Sequence, residues 1–255
     1  MTKTIALAGK GGTGKTTTAA LLIGALIKET RGPLLAIDAD PSANLHLALG
    51  LQMPTTVGDI REEMTEPEKA QSLGVHISRH EYLSREIFMA LEEGERVDLL
   101  AMGRPEGQGC YCAVNHLLRD ILDGLETSYQ YVVIDNEAGM EHISRRTTRG
   151  VDLLIVTSDP TIRGLQAAAS IKELATEVDV DVRRMGLVLN RVQGPLADPL
   201  QQTIDAIGLE VLAEVPADSA VNELDALGKP LIGLDPSSPA LQAVEALAQS
   251  IINEL

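Results

Sequence analysis

Residues 9–17 have the sequence GKGGTGKTT, which contains the phosphate-binding pattern G-x-x-x-x-G-K-T. An apolar run, Thr4–Ala8, precedes this loop and predicts a buried strand, and a stretch with helical periodicity, Thr16–Lys28, follows it. A strand, a glycine-rich loop and a helix in that order are the setting in which this pattern binds nucleotide phosphates. The sequence therefore predicts a P-loop that binds a nucleoside triphosphate.

The positions of this loop have different expected roles. Its glycines let backbone N–H groups turn toward phosphate oxygens, and the start of the following helix adds partial positive charge. Lys15 is expected to reach the β- and γ-phosphates, and Thr16 is expected to offer its hydroxyl to Mg²⁺. The predicted nucleotide-binding residues of this segment are Gly11, Gly12, Thr13, Gly14, Lys15, Thr16 and Thr17.

A second lysine, Lys10, directly follows the first glycine of the loop. It can lie over the nucleotide of its own chain, or cross a two-fold axis to a partner's nucleotide as an arginine finger does. The sequence KGGTGKTT from residue 10 resembles the deviant Walker A motif of nitrogenase iron protein, septum-site ATPases, partition ATPases and metallocentre-maturation ATPases. The resemblance implies a homodimer that encloses two nucleotides, with Lys10 crossing the interface and both Lys10 and Lys15 acting in catalysis.

Composition and periodicity predict the fold class. Hydrophobic residues make up 44% of the 255 residues, but the only aromatic ones are Phe88 and four tyrosines. A core of Leu, Ile, Val and Ala suits a parallel sheet that is covered by helices on both faces. Strand-like and helix-like segments alternate without a linker-like boundary, so we expect an α/β protein with a doubly wound, mostly parallel sheet. The expected domain organisation is a single P-loop ATPase domain over residues 1–255.

The expected elements follow this alternation. We predict strands at Thr4–Ala8, Leu34–Asp38, Asp98–Met102, Tyr131–Asp135, Asp152–Thr157, Gly186–Asn190 and Glu210–Val215, with a further short candidate at Val75–Ser78. We predict helices at Thr16–Lys28, Arg79–Glu92, Val114–Glu126, Ile162–Val178, Pro199–Ile207 and Ala240–Asn253. In sheets of this kind ligands bind beyond the carboxyl ends of the strands.

Charge and hydropathy limit the expected partners. The net charge of −16 argues against nucleic acid, because binding to DNA phosphates needs a basic face. The longest apolar run, Ala19–Ile27, is too short to span a bilayer, and Ala240–Leu255 is amphipathic without a lysine. The first predicted strand leads directly into the P-loop, so no signal peptide is expected. We therefore expect a cytoplasmic protein with no membrane and no nucleic-acid partner.

Carboxylates follow two predicted strands. Asp38 and Asp40 belong to the sequence Asp-Ala-Asp-Pro, which is also a common β-turn sequence, and Asp135 ends an apolar strand as a Walker B aspartate does. Beside a P-loop, the first segment resembles switch I of the same ATPases, which implies that Asp40 positions the attacking water and that Asp38 supports either Mg²⁺ or the switch geometry. Asp135 is expected to bind Mg²⁺ through water. Residues 136–142 resemble switch II, and His142 within them is a ligand, a partner contact or an ordinary surface histidine.

Two later segments resemble the adenine pocket of these ATPases. Asn190 ends a predicted strand, and its carboxamide can both donate to and accept from an adenine edge. Pro216 and Asp218 follow the next strand and are expected to flank the ring. The guanine-reading pattern N-K-x-D is absent, because Arg191 follows Asn190. The sequence therefore favours ATP over GTP.

The only two cysteines, Cys110 and Cys112, form a C-x-C pair. In an extended segment side chains at i and i+2 leave on the same face, so both sulfurs can approach one metal ion. A tetrahedral thiolate site needs four ligands, and a symmetric dimer offers four across its axis. We therefore predict one metal ion shared between two chains. Four thiolates suit Zn²⁺ or an iron–sulfur cluster, and Ni is implied by the resemblance described next. Incidental loop cysteines are the alternative, and His116 is a further candidate ligand.

A deviant Walker A loop combined with a single C-x-C pair resembles the carbon monoxide dehydrogenase accessory ATPases. The resemblance implies an ATPase that assists nickel insertion into apo carbon monoxide dehydrogenase or a related nickel enzyme. Two other functional hypotheses stay open. One is a partition-type positional switch without a metal role, and the other is a reductase with a cluster between the two C-x-C pairs.

Overall fold

A single eight-stranded sheet forms the centre of the molecule, and the computed structural model describes residues 2–63, 78–104, 123–125, 127–137, 150–177 and 181–255. The strand order is β3-β4-β2-β5-β1-β6-β7-β8, and every neighbouring pair is parallel except β3 with β4. The strands are β1 (Lys3–Gly9), β2 (Leu34–Ala39), β3 (Glu92–Glu93), β4 (Val97–Ala101), β5 (Tyr131–Asn136), β6 (Val151–Ser158), β7 (Val182–Val192) and β8 (Glu210–Pro216). The predicted α/β class with a mostly parallel sheet is confirmed.

Helices cover both faces of this sheet. They are α1 (Lys15–Glu29), α2 (Leu45–Leu49), α3 (Val57–Glu63), α4 (Arg79–Met89), α5 (Ile162–Glu177), α6 (Asp198–Ile207), α7 (Ser219–Ala226) and α8 (Pro239–Glu254). None of the helices in the described ranges is both long enough and apolar enough to cross a membrane.

The core consists of two apolar layers, one on each face of the sheet. Because side chains alternate along a strand, Ile5 and Leu7 of β1 belong to the layer formed with α1, α2 and α8. Ala6 and Ala8 of the same strand belong to the layer formed with α3, α4, α5 and α6. Alanine and larger aliphatic side chains therefore fill a core that contains almost no aromatic residues.

Two predicted elements differ from the structure. The helix predicted over Arg79–Glu92 ends at Met89, because Glu92 and Glu93 pair antiparallel with β4. Ser78 was expected in a strand, but it caps α4: its hydroxyl accepts from the Glu81 N–H at 3.1 Å, and Glu81 accepts from the Ser78 N–H at 2.9 Å. Such a capping box satisfies two N–H groups that a helix start otherwise leaves unpaired.

The other differences concern short helices and incompletely described segments. Helices α2 and α7 have five and eight residues and were not predicted. The remaining residues of the expected strand, 75–77, lie outside the described residues, as does most of the expected helix Val114–Glu126.

The packing of α1 predicts a large effect of one core substitution. Leu22 is fully buried in the layer between α1 and the sheet. We expect Leu22→Ala to lower the free energy of unfolding by about 3 kcal/mol, because it removes buried methyl groups and leaves a cavity. Urea unfolding measures this change. Leu227→Ala is the matched control, since Leu227 is 59% exposed, and an equal loss in both variants would contradict the packing described.

Candidate nucleotide-binding site

The carboxyl ends of the central strands bring the predicted site together. Strand β1 lies between β5 and β6, and the P-loop directly follows it. The register pairs Leu7 of β1 with Asp135 of β5, and Asp135 with Asp38 of β2. The P-loop and these two aspartates therefore lie at the same edge of the sheet, where ligands bind in doubly wound folds.

Two glycines of the P-loop adopt left-handed backbone conformations that favour glycine. Gly12 has φ 81° and Gly14 has φ 86°, and Gly14 is the N-cap of α1 without a side-chain cap. A Cβ atom on Gly14 would clash with the side-chain nitrogen of Asn190. The start of α1 thus leaves its N–H groups without a capping side chain, which suits the binding of an anion.

The two P-loop lysines occupy different environments. Lys15 is buried, and its Nζ lies 3.4 Å from the carbonyl oxygen of Lys10, to which it donates. The hydroxyl of Thr13 donates to the same carbonyl oxygen at 2.8 Å. The side chain of Lys10 is exposed. Lys15 is therefore held inside the loop of its own chain, whereas Lys10 is accessible from outside.

Asp135 and Thr16 form the candidate magnesium site. The Thr16 hydroxyl donates to Asp135 Oδ2 at 2.6 Å, while Asp135 Oδ1 is buried and has no hydrogen-bond partner among the described residues. Burial raises the pKa of Asp135 to about 7, and the negative charge of Asp38 adds to the increase. A buried carboxylate oxygen without a partner beside a hydroxyl provides oxygen ligands of the kind that Mg²⁺ prefers. These residues therefore fit a magnesium ion.

Asp38 shapes the segment that follows β2. Its carboxylate accepts from the N–H groups of Asp40 at 3.1 Å and Leu45 at 2.9 Å. Burial raises the pKa of Asp38 to about 6, although both hydrogen bonds oppose the increase. Asp40 is less buried, and its carboxylate accepts from the N–H of Ser42 at 2.8 Å. Asp38 thus orders the loop, and Asp40 faces the cavity beside the P-loop.

A cavity of about 540 Å³ opens over the P-loop. Its lining includes Gly11, Gly12, Gly14, Lys15, Thr16, Thr17 and Asp40. The predicted phosphate-binding residues and the predicted water-positioning residue thus border one space, with the exception of Thr13, whose hydroxyl is turned to the Lys10 carbonyl. This volume is within the range typical of ligand sites.

The predicted adenine residues lie beside a much smaller cavity of about 20 Å³, which Asn190, Pro216 and Asp218 help to line. Asn190 donates to the Thr13 carbonyl at 2.9 Å. The carboxylate of Asp218 accepts from Ser238 Oγ at 2.6 Å and from the Ala220 N–H at 2.8 Å, so it caps α7 and joins α7 to the start of α8. Contact of these residues with adenine stays a prediction.

Sequence reasoning assigned no role to Arg191, which borders both cavities. Its guanidinium donates to the Gly12 carbonyl at 3.2 Å. No motif marks this position, and the only sequence signal is that it follows Asn190.

The predicted metal-binding cysteines cannot be placed. Cys110, Cys112, His116 and His142 lie outside the described residues. Within the ranges that are described, no three His, Cys, Asp or Glu side chains are grouped in a way that could hold a metal ion. The Ni or Zn site therefore stays a prediction.

Fold and site define a P-loop ATPase, and residues 4–231 match the family model described as the CobQ/CobB/MinD/ParA nucleotide binding domain. The chain belongs to this family, and it is an ATP-binding protein with ATP hydrolase activity. An uncharacterized ATP-binding protein of Methanocaldococcus jannaschii is 44% identical over 219 residues, which cover 86% of each chain.

Two further relatives extend the comparison. The carbon monoxide dehydrogenase accessory protein CooC of Rhodospirillum rubrum is 33% identical over 230 residues, covering 85% of this chain and 84% of that protein. The solved structure of the Pyrococcus furiosus cell division ATPase MinD covers all of both chains with a TM-score of 0.71 and 24% identity. At this identity the structural likeness concerns the fold alone.

The buried carboxylate of Asp135 predicts a pH-dependent stability of the nucleotide-free and magnesium-free protein. Because its folded pKa of about 7 lies above the ordinary aspartate value of 3.8, folding favours the protonated form. This contribution is present at low pH and is lost as the pH rises from about 4 through 7. We expect Asp135→Asn to become more stable than the wild type by about 2 kcal/mol at pH 8, with a smaller difference at pH 5.

Urea unfolding at pH 5, 6, 7 and 8 measures this difference. Asp205→Asn on the exposed side of α6 is the control and is expected to leave the pH profile unchanged. A constant difference between Asp135→Asn and wild type at all four pH values would contradict the assignment of a buried, proton-binding carboxylate.

Proposed function

We propose that this ATPase is a homodimeric metallochaperone of the cytoplasm, built as one domain over residues 1–255. It uses ATP hydrolysis to assist nickel insertion into carbon monoxide dehydrogenase or a related metalloenzyme. The observation that carries the proposal is the C-x-C pair, Cys110 and Cys112, in a chain that is 33% identical to a carbon monoxide dehydrogenase accessory protein over 85% of its length. A partition-type switch without a metal role is the competing function, because the family also includes MinD and ParA.

Residues of the P-loop and of the neighbouring strands supply the chemistry of hydrolysis. Lys15 exchanges its contact with the Lys10 carbonyl for the nucleotide phosphates. The Thr16 hydroxyl would hold Mg²⁺ directly and Asp135 would hold it through water, and the bound ion would neutralise phosphate charge. Asp40 borders the same cavity and orients the attacking water. Asp38 holds the segment of Asp40 in place through the N–H groups of Asp40 and Leu45.

The position of Lys10 supports a role in a dimer. Its carbonyl is bound inside the P-loop while its side chain is exposed to solvent. From there it can reach a nucleotide that a partner chain holds, and its charge can stabilise the transition state as an arginine finger does. The two lysines thus have separable roles.

The number of thiols supports a shared metal site. One chain supplies two thiolates, and a tetrahedral thiolate site needs four. Two chains related by a two-fold axis supply all four, so the metal stabilises the dimer, which alone completes the coordination shell. Four thiolates suit Zn²⁺, while Ni²⁺ often prefers planar sites. Zinc in a purified preparation would therefore not argue against a role in nickel delivery.

The lysine roles predict two different kinetic defects. Lys15→Ala is expected to weaken ATP binding by at least about tenfold, because it removes a buried charge–phosphate contact of the same chain. Lys10→Ala is expected to keep ATP binding within about threefold of wild type and to lose hydrolysis by about 10³-fold. Equilibrium binding and phosphate release measure the two quantities. Equal hydrolysis rates for wild type and Lys10→Ala would exclude a trans-acting Lys10.

The proposed metal site is tested by the ratio of metal to protein, measured together with the mass in solution. We expect 0.5 Zn²⁺ or Ni²⁺ per chain in a dimer, because two chains share one ion. Affinity is expected to fall as pH decreases, since thiolates must lose their protons to bind. The double variant Cys110→Ser/Cys112→Ser is expected to lose the metal and keep ATP hydrolysis.

The control is His80→Ala, since His80 is an exposed residue of α4. It is expected to bind metal as the wild type does. One metal per monomer would refute the shared site. Metal binding that survives in the double cysteine variant would refute the cysteine ligands and favour the partition-type function.

A further inference from the structure

Arg191 has an unusual backbone conformation at the edge of the nucleotide site. It stands at the irregularity where the pairing of β7 with β8 shifts between Asn190 and Val192. Its φ is 60°, in the left-handed region that residues with a Cβ atom rarely adopt. Such conformations persist only where surrounding contacts impose them, and they concentrate at functional sites.

The contacts of Arg191 and its neighbour account for this conformation. Its guanidinium donates to the carbonyl of Gly12 at 3.2 Å, and Asn190 donates to the carbonyl of Thr13 at 2.9 Å. The backbone N–H of Arg191 donates to the side-chain oxygen of Asn190 at 2.9 Å, which links the two contacts. Two consecutive residues of β7 thus hold two consecutive carbonyls of the P-loop.

These contacts fix the orientation of two peptide planes in the P-loop. A trans peptide is planar, so a carbonyl held on one side also fixes the direction of the N–H on the other side. The contacts of Asn190 and Arg191 therefore orient the peptides between residues 12 and 14. The Thr13 N–H that Arg191 orients closes the loop onto the Lys10 carbonyl at 3.3 Å, and the Gly14 N–H lies in the peptide that Asn190 holds. The conformation at Gly12 and Gly14, with φ of 81° and 86°, is one that free glycine leaves readily, so an external contact is needed to keep it.

We propose that Arg191 is a positioning residue that latches the P-loop at Gly12 and thereby raises its affinity for the phosphates of the nucleotide. The inference rests on the nucleotide site of the proposed function and does not depend on the metal role. Arg191 also adds a positive charge to a cavity bordered by the acidic side chains of Asp40, Glu137 and Asp225. In a chain with a net charge of −16, such a cation reduces the repulsion of a polyanionic ligand.

The test compares Arg191→Gly, Arg191→Lys and wild type in equilibrium binding of Mg-ATP and of inorganic tripolyphosphate. Glycine accepts the left-handed conformation but removes the latch, so the dissociation constants of both ligands are expected to rise by about fivefold. The melting temperature is expected to stay unchanged or to rise. Arg191→Lys is expected to restore part of the affinity, because it keeps a charged donor. Arg184→Ala is the control, since Arg184 lies in the same strand and pairs with Glu210 and Glu254.

Two results would overturn the proposed role of Arg191. Equal binding in Arg191→Gly and wild type would overturn it. Weaker binding of Mg-ATP alone would also overturn it, because that result indicates a contact with the base or ribose and not a latch on the phosphate loop. If Arg191→Gly fails to fold, the same comparison with Arg191→Gln applies. Failure of the wild type to bind either ligand would contradict the nucleotide site itself and not the latch.

Discussion

The hydrogen bond from the Thr16 hydroxyl to Asp135, 2.6 Å long, joins the start of α1 to the end of β5. It brings together the two segments that a P-loop ATPase needs for its magnesium ion, and it forms because β1 and β5 are neighbours in a parallel sheet. The same register aligns Asp38 with Asp135, so three strands direct their ends at one cavity. The cost of this arrangement is a pair of buried carboxylates whose pKa values are raised to about 6 and about 7. A bound cation would offset the destabilisation that these buried carboxylates cause, so cation binding and folding stabilise each other.

The P-loop itself is held from a second direction. Its glycines provide the necessary conformations, but glycine alone does not select one of them. Asn190 and Arg191 at the end of β7 hold the loop carbonyls from outside, while Lys15 and Thr13 are turned to the Lys10 carbonyl within it. Strands β5 and β7, which lie on opposite sides of β1, thus both contact the phosphate-binding segment. Asp135 at the end of β5 accepts from Thr16, and residues of β7 donate to the carbonyls of Gly12 and Thr13. A nucleotide that binds there therefore meets a P-loop whose conformation is already fixed by contacts with the sheet.

Much of this site could be predicted from the sequence, because it depends on local patterns. A glycine-rich loop between an apolar strand and a helix, and aspartates at the ends of apolar runs, identify Lys15, Thr16, Asp38 and Asp135 without knowledge of the fold. Asp218 shows the limit: the sequence places it directly after a strand, but it does not reveal that the carboxylate accepts from Ser238, twenty residues away. The sequence does not reveal the contact of Arg191 with the Gly12 carbonyl for a similar reason, since it joins residues 179 positions apart. The short helix α2 was missed because five residues carry too little periodicity.

The proposed function requires that this ATPase binds one metal ion between the C-x-C pairs of two chains. X-ray absorption at the metal edge of zinc-loaded, ATP-bound protein tests it most directly, because it counts the sulfur neighbours of the ion. We expect four sulfur ligands at about 2.3 Å and no nitrogen bound to the ion. A shell of two sulfurs completed by nitrogen or oxygen would show that a single chain binds the ion, and would contradict the shared site.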